Sequence, residues 1–420
     1  MSELRQLKVL VSAFAFSPIQ GSEYATGWDY VRAIASRHKV WVIARSNQRT
    51  ETEQYLLLHP DALRNVTIHY VPLEDRSFNI PFRQIIYSLR YKYWQWRAFR
   101  LACALDADID FDLVHLVNLT SFREPGYLWK LKKPFVWGPI GGLQFIPMRL
   151  LKALPLRTQL FCVFKNLSTI YAMYVSSGPR RAAAAAQAIL AGSSNVADKV
   201  HKLWSRDSTV LCEVSAPDLN SRLPIRRKAE EPLRIIWCGD CNPLKALNMV
   251  LLALEQLKWS PVEWRLIVVG DGPLQESWKA LAARLCLSDF CSFLDRVSRA
   301  EVYSVMASGH CFVQPSLYDA TSTVVAEALA HGLPVICLDH FGFKDAVSAE
   351  CGIKIPPNTL DQVVRDFAKA IERLWRDEDS RYAMAIAAQK ASTRLTSKYK
   401  EGVINEVYCR VLVSQGSTGH

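Results

Sequence analysis

Two series of short apolar runs, each alternating with amphipathic stretches, hold this chain to an α/β architecture. In the first series, residues 8–14 and 39–44 read as buried strands, with a helix at 25–36 between them. Further strands are expected at 66–71, 113–117, 134–137 and 188–191, and a long amphipathic helix over 85–105. The second series runs strand 233–238, helix 246–257, strand 264–269, helix 274–285, strand 291–294, helix 299–307 and strand 311–314. A loop and a helix then lead to strand 335–338. Strands that are apolar throughout, rather than alternating, belong to parallel sheets covered on both faces. Residues 215–232, rich in Pro and charge, read as a linker. The expectation is two doubly wound Rossmann-like domains, 1–215 and 216–389, with ligands at the C-terminal ends of their strands.

A chain of 420 residues suits two domains, each with a full core. The 11 cysteines are scattered singly through apolar segments without framework spacing, which fits a reducing compartment and packing roles. Cys238 and Cys241 have CxxC spacing, but no second pair or His partners accompany them, so packing at a strand end is the favoured reading. No secretory signal pattern opens the sequence. The longest apolar stretch, 160–175, contains Lys165, Asn166 and Ser168 and is too short and polar for a membrane span. The last residues, 414–420, read as a flexible tail.

The net charge of +11 is not spread evenly. Residues 1–215 hold 27 Lys and Arg against 16 Asp and Glu, while residues 216–420 hold 24 against 24. Between Pro125 and Ala197 nine basic residues meet no acidic one. A second acid-free run, 81–105, interleaves Arg83, Arg90, Lys92, Arg97 and Arg100 with Tyr87, Tyr91, Tyr93, Trp94 and Trp96. Cations mixed with aromatics can seat a protein on an anionic membrane surface, and that reading is preferred. A solvated helix face is the plain alternative. Nucleic acid is disfavoured, because no recognition motif accompanies the charge.

The richest local pattern is Pro315-Ser-Leu-Tyr-Asp-Ala-Thr-Ser-Thr-Val-Val-Ala-Glu-Ala-Leu-Ala-His-Gly-Leu-Pro-Val-Ile336. It reads as strand end, loop, helix and next strand, with Asp319 and Glu327 eight positions apart. Thr321, Ser322 and Thr323 can cap the helix and leave its first N–H groups for an anion. Gly332 and Pro334 end it. An ordinary capped helix with a surface Glu has the same local pattern. The segment resembles the nucleotide-sugar-binding motif of glycosyltransferase family 4, where two acidic residues flank seven others. Pro315, Ser316, Glu327, Ala328, Gly332, Pro334 and Val335 match in register, and Asp319 stands where the first Glu is usual.

That resemblance implies the GT-B fold. Two Rossmann-like domains face a central cleft, and a C-terminal helix, residues 390–413, crosses back onto the first domain. It also implies a retaining mechanism with no metal and no cofactor. The stretch from Gly239 to Lys245 resembles the family turn whose Arg and Lys neutralise the donor diphosphate. Lys245 falls in register, whereas Asp240 takes the Arg position and Ala246 a Gly position. Gly270-Asp-Gly-Pro273 matches the family's strand-end turn, and Gly21-Ser-Glu23 resembles its first-domain glycine loop. His115 stands where family members carry a His near the reacting carbon. A lone strand-end His also serves as a structural group. Glu124 is a candidate base if configuration were inverted.

The implied site therefore has Lys245, Asp319 and His115 in the chemistry. Gly21, Gly239, Thr321, Ser322, Thr323 and Glu327, with Lys245 and Asp319, hold the donor. The expected protein is a glycosyltransferase moving a sugar from a nucleotide donor, UDP-linked, to a lipid-linked or polysaccharide-precursor acceptor. The basic first domain would lie on the cytoplasmic face of the membrane. A GT-B epimerase or phosphorylase is the enzymatic alternative. A noncatalytic GT-B binding or scaffold protein is the other, kept open by Asp240.

Overall fold

β1 (Lys8–Ala13) pairs in parallel with both β2 (Lys39–Arg45) and β4 (Leu113–Asn118), and a seven-stranded sheet grows outward from this pairing. The computed structural model describes residues 5–73, 83–219 and 223–416. Residues 81–82, at the start of the second acid-free run, and 417–420 of the expected tail lie outside the described residues, as does 220–222 of the linker. The remaining strands of the first sheet are β3 (Val66–Val71), β5 (Phe135–Ile140), β6 (Ala188–Ala191) and β7 (Thr209–Val210). Their order is β3-β2-β1-β4-β5-β6-β7. The second sheet contains β8 (Leu233–Cys238), β9 (Trp264–Val269), β10 (Cys291–Leu294), β11 (Cys311–Gln314), β12 (Val335–Leu338) and β13 (Gly352–Ile355), ordered β10-β9-β8-β11-β12-β13. Both orders reverse direction beside the first strand of their series, which creates a crevice at the strand ends.

The helices of the first series are α1 (Glu23–Ala35), α2 (Arg49–Leu58), α3 (Arg83–Ile109), α4 (Leu156–Tyr174), α5 (Ser177–Ala185) and α6 (Ser194–Trp204). The second series adds α7 (Leu247–Gln256), α8 (Gln275–Arg284), α9 (Arg299–Ser308), α10 (Thr323–Ala330), α11 (Phe343–Ala346), α12 (Leu360–Arg376) and α13 (Glu378–Ser392). α14 (Ser397–Gly416) ends the described chain. The C-terminal helix expected at 390–413 is broken at Thr393–Leu395, where a 3-10 turn separates α13 from α14. α14 also carries on through Gly416, so residues 414–416 are helix rather than tail.

Contacts divide the chain into two units. The first is Met1–Gln144, Thr169–Ser215 and Ser397–His420, and the second is Phe145–Ser168 with Ala216–Thr396. A boundary at 215 assigns residues 145–168 to the wrong side, because their apolar groups are spent in the second core. Ile146, Leu150, Leu151, Leu154 and Cys162 are buried there in one cluster with Leu247 and Phe367. Asn166 fastens the segment's start by accepting from the Ile146 N–H and donating to its carbonyl, each at 3.0 Å. Likewise the segment returning to the first unit begins at Ser397, not at 390. Ile404, Val407, Tyr408 and Val411 of α14 join the first unit's core.

Candidate functional site

The site in the second unit starts from backbone. After β8 and β9 the chain makes two turns that lie against each other. The Gly239 N–H donates to Val269 O at 3.0 Å and the Cys241 N–H to Asp271 O at 2.7 Å. A Cβ at Gly270 would sit 2.0 Å from the Gly239 carbonyl oxygen, and Gly270 has a φ of +129°. Only glycine permits that approach. A Cβ added at Gly239 would meet the Lys245 stem at 3.9 Å, so this turn runs alongside that side chain.

The turn delivers Lys245 to the loop that follows β11. Lys245 Nζ forms an ion pair with Asp319 Oδ2, and both side chains are mostly but not fully buried. The two segments are also tied by backbone. The Leu317 N–H donates to Leu244 O at 2.7 Å, and the Ser316 hydroxyl donates to the same oxygen at 3.3 Å. β8 and β11 are the neighbours at which the strand order reverses, so the pair stands in the crevice of the second sheet. Lys165 of α4 places its ammonium 4.3 Å from the ring centre of Tyr318, the residue before Asp319.

α10 follows directly. Ser322 is its N-cap, yet its side chain makes no capping bond, and Thr321 and Ser322 are buried while Thr323 is half-buried. The Ser322 hydroxyl therefore does not close the first turn. Gly342 explains the burial: its N–H donates to Ala320 O at 2.8 Å, and a Cβ there would overlap the Thr321 hydroxyl.

Glu327, a turn into α10, is 6% exposed. Its Oε1 accepts from Arg299 Nη2 at 3.1 Å and from the Tyr303 hydroxyl at 3.3 Å. Arg299 Nε also donates to the Tyr303 hydroxyl at 2.8 Å. Burial pushes the Glu327 carboxyl above its ordinary pKa, and the Arg299 guanidinium and the two hydrogen bonds oppose that rise. Arg299 and Tyr303 were not visible as site residues in the sequence. They lie one turn apart on α9, and only the serine-capped start of that helix marks the place. The charges of Glu327, Lys245 and Asp240 all act on the Cys238 thiol at the end of β8. The acidic and basic groups thus gather at one strand end.

The first unit treats its expected site residues differently. His115 is 0% exposed. Its Nε2 lies 2.7 Å from Gly138 O and its Nδ1 2.7 Å from the Tyr408 hydroxyl of α14. A carbonyl can only accept, so Nε2 carries the proton and Nδ1 accepts from Tyr408. Burial lowers the ring's pKa to about 4, so it is neutral at physiological pH. With both nitrogens engaged inside the core, His115 has no atom to offer a sugar; it is a structural strand-end histidine. Gly21 is exposed, and a Cβ added there would find nothing within 4 Å. The close approach belongs instead to Gly27 in α1, where a Cβ would meet Ala15 O at 2.0 Å. Glu124 is tied to the Ser88 hydroxyl at 3.0 Å and to Lys92 at 3.2 Å.

With this geometry in hand, the chain can be set beside known proteins. Residues 222–391 match the family described as Glycosyl transferases group 1. An uncharacterized glycosyltransferase of Haemophilus influenzae is 28% identical over 166 residues, which is 39% of this chain and 46% of that protein. The phosphatidylinositol N-acetylglucosaminyltransferase gpi3 subunit of Schizosaccharomyces pombe is 26% identical over 179 residues, 39% of each chain. The chain therefore spans less than half the length of these two curated relatives. Among solved structures, HepE of Anabaena in complex with UDP-glucose superposes with a TM-score of 0.62 at 16% identity, covering 97% of this chain and 100% of that one. That likeness is one of fold: two parallel-sheet Rossmann-like units of the GT-B type.

The group 1 match contains Gly239, Lys245, Asp319, Thr321, Ser322, Thr323 and Glu327 and leaves out Gly21 and His115. At Asp240 the structure adds a group that the sequence pattern lacks. Arg296, from the loop after β10, approaches Asp240 at 3.4 Å and Asp271 at 3.1 Å. A cation therefore stands beside the turn, although on a different strand's loop. Cys238 and Cys241 are buried thiols whose pKa values burial raises to about 12 and 11, so neither is a ready thiolate. Among the described residues, no group of three or more His, Cys, Asp or Glu is arranged to hold a metal ion.

Proposed function

We propose that this chain is a retaining glycosyltransferase. It takes a sugar from a nucleoside-diphosphate donor, UDP-linked, and passes it to a lipid-linked or polysaccharide-precursor acceptor at the cytoplasmic face of a membrane. The observation that carries the reading is the Lys245–Asp319 pair in the β8/β11 crevice, beside a helix whose second turn holds Glu327. The group 1 match over this unit supports it. So does the UDP-glucose held by HepE, a protein of the same fold. The gpi3 subunit, named for a phosphatidylinositol acceptor, supports the lipid-linked class.

In this reading the donor diphosphate takes over Lys245 from Asp319. Lys245 and the first N–H groups of α10 then offset the negative charge that builds on the leaving phosphate. Asp319, released, accepts hydrogen bonds from hydroxyls of the transferred sugar. Glu327 offers the ribose hydroxyls its Oε2, since its bonds to Arg299 and Tyr303 both fall on Oε1. The bond from the anomeric carbon to the phosphate oxygen breaks, and the acceptor oxygen bonds to the same face of that carbon. The acceptor's proton passes to the departing phosphate, so no protein base is needed. The reading calls for no metal and no cofactor beyond the donor.

Thermal-shift measurements against nucleoside diphosphates and their sugars test it, because a ligand that binds only the folded state raises stability by mass action. A rise of several degrees with one nucleotide class is expected. No response to any of them overturns the proposal. Glu327→Ala separates an enzyme from a binding protein: turnover of the responding donor should fall at least tenfold in an enzyme.

A further inference from the structure

α4 is the most exposed apolar element of the described chain. Leu156, Leu160, Phe164, Leu167, Ile170, Tyr171 and Tyr174 are all exposed on it. At 100° per residue they fall within an arc of roughly 120° along one side of the helix. The opposite side is already used, since Cys162, Asn166, Thr169, Ala172 and Met173 are buried. A helix with one packed face ordinarily turns charges to water on the other. Here the outward face holds no acid at all, and the helix carries only Arg157 and Lys165 as charges. A continuous apolar stripe of this kind marks a surface that something covers.

The surroundings say what. Arg149 and Lys152 lie just before the helix, Arg157 in its first turn, and Arg180 and Arg181 just after it, all five exposed. They belong to the acid-free stretch between Pro125 and Ala197. Apolar bulk flanked at both ends by cations complements a bilayer carrying anionic lipid, where hydrocarbon accepts the stripe and headgroups accept the charge. No helix among the described residues is long and apolar enough to cross a membrane, so the contact is one of lying on the surface.

We infer that α4 docks this protein onto an anionic bilayer, lying in the headgroup plane with Leu156, Leu160, Phe164, Leu167, Tyr171 and Tyr174 immersed. The inference extends the membrane part of the proposed function by naming the surface that makes the contact. It also gives the inward face a purpose, because Lys165 on that face rests against Tyr318, next to Asp319. Anchoring α4 therefore holds the loop of the candidate donor site close to the lipid.

Flotation with vesicles of phosphatidylcholine alone and of phosphatidylcholine with phosphatidylglycerol tests this, at low and at high salt. The full chain should float with the anionic vesicles at low salt, and less at high salt as charge attraction is screened. A triple variant, Leu160→Glu, Phe164→Glu and Leu167→Glu, changes side chains that are 65%, 63% and 58% exposed, so the fold should be kept. It should lose at least about tenfold in vesicle partitioning, with circular dichroism and melting temperature unchanged. Arg149→Gln with Lys152→Gln and Arg157→Gln should weaken binding to the anionic vesicles alone. Failure of the full chain to float overturns the inference, as does a triple variant that floats as well as the parent. Concentration-dependent dimers that vanish in the triple variant, without vesicle binding by the parent, would assign the stripe to a second copy and also overturn it. If vesicles are bound through α4 but no nucleotide shifts the melting temperature, the glycosyltransferase reading fails and this one stands.

Discussion

The two units bring the same sheet order to their crevices and use it in opposite ways. In the first unit, polar groups at the end of β1 and β4 are spent on the protein itself. The Asn118 side chain accepts from the Ala15 N–H at 3.2 Å and donates to the carbonyls of Ala15 and Glu23, each at 2.8 Å. Glu23 accepts from the Thr120 hydroxyl at 2.6 Å. His115 lies sealed between Gly138 and Tyr408. In the second unit the corresponding groups are charged, partly open, and paired with one another: Lys245 with Asp319, Arg296 with Asp240 and Asp271, Arg299 with Glu327. A neutral buried hydrogen bond has no reason to open, because an unpaired partner costs the full desolvation of a polar group. An ion pair with one edge still open can instead exchange one charged partner for a ligand's charge, so that neither charge is left unpaired. Polar residues at a sheet edge are therefore not equivalent; what counts is whether their bonds are already committed.

Substitution at the two edges is the sharpest way to break this contrast. Lys245→Ala should lower donor turnover by about 10²–10³, the usual loss for one charge-stabilising group, with little change in melting temperature. His115→Ala should do the reverse. It leaves the Tyr408 hydroxyl and the Gly138 carbonyl without partners and opens a cavity, so unfolding in denaturant should show a loss of about 2–4 kcal/mol. The protein that remains folded should retain most of its turnover. A His115 variant that is stable but inactive would end the comparison.

Acid sharpens it next. Burial holds His115, His310 and His340 neutral, with pKa values lowered to about 4, 3 and 3. In the unfolded chain these rings titrate near 6.5, so below that pH the unfolded state binds more protons than the folded one. Stability is then full above about pH 6.5 and is lost as the pH falls toward 4. His115 alone accounts for on the order of 3 kcal/mol of that loss. Melting curves across this range should show the decline, and His115→Gln should make it shallower. The smallest effect is expected at Gly21. Gly21→Ala should change stability by no more than about 0.5 kcal/mol. Gly270→Ala, pressed against the Gly239 carbonyl, should cost about 1–3 kcal/mol or more. Equal effects of the two glycines would show that neither turn is as tightly specified as its geometry suggests.

Eleven of the thirteen described strands could be read from the sequence, because continuous apolar runs between helices have few alternative uses; β7, two residues long, and β13, where Lys354 and Gly352 interrupt the apolar run, were missed. Lys245, Asp319 and Glu327 were singled out through one family-like pattern and its register, and the structure pairs the first two with each other. Arg299, Tyr303 and Arg296 were not, since nothing local tells a surface arginine on α9 or after β10 that it will meet a carboxylate from another strand. His115 shows the converse failure: its place at a strand end was legible, but its burial depends on Tyr408, 293 residues later. The start of α4 misled for a similar reason. Charge and composition placed 145–168 with its sequence neighbours, whereas its apolar side chains are matched to the second core.

The way residues 145–168 are fastened has a consequence for recombination. Asn166 and the buried Ile146, Leu150, Leu151 and Leu154 make this segment part of the second unit, though Thr169–Ser215 of the first unit comes between it and the rest. A hybrid made with a relative by one crossover in the linker would pair this segment with a foreign core. Two relatives could exchange their second units cleanly only by a double exchange that carries Phe145–Ser168 along with Ala216–Thr396.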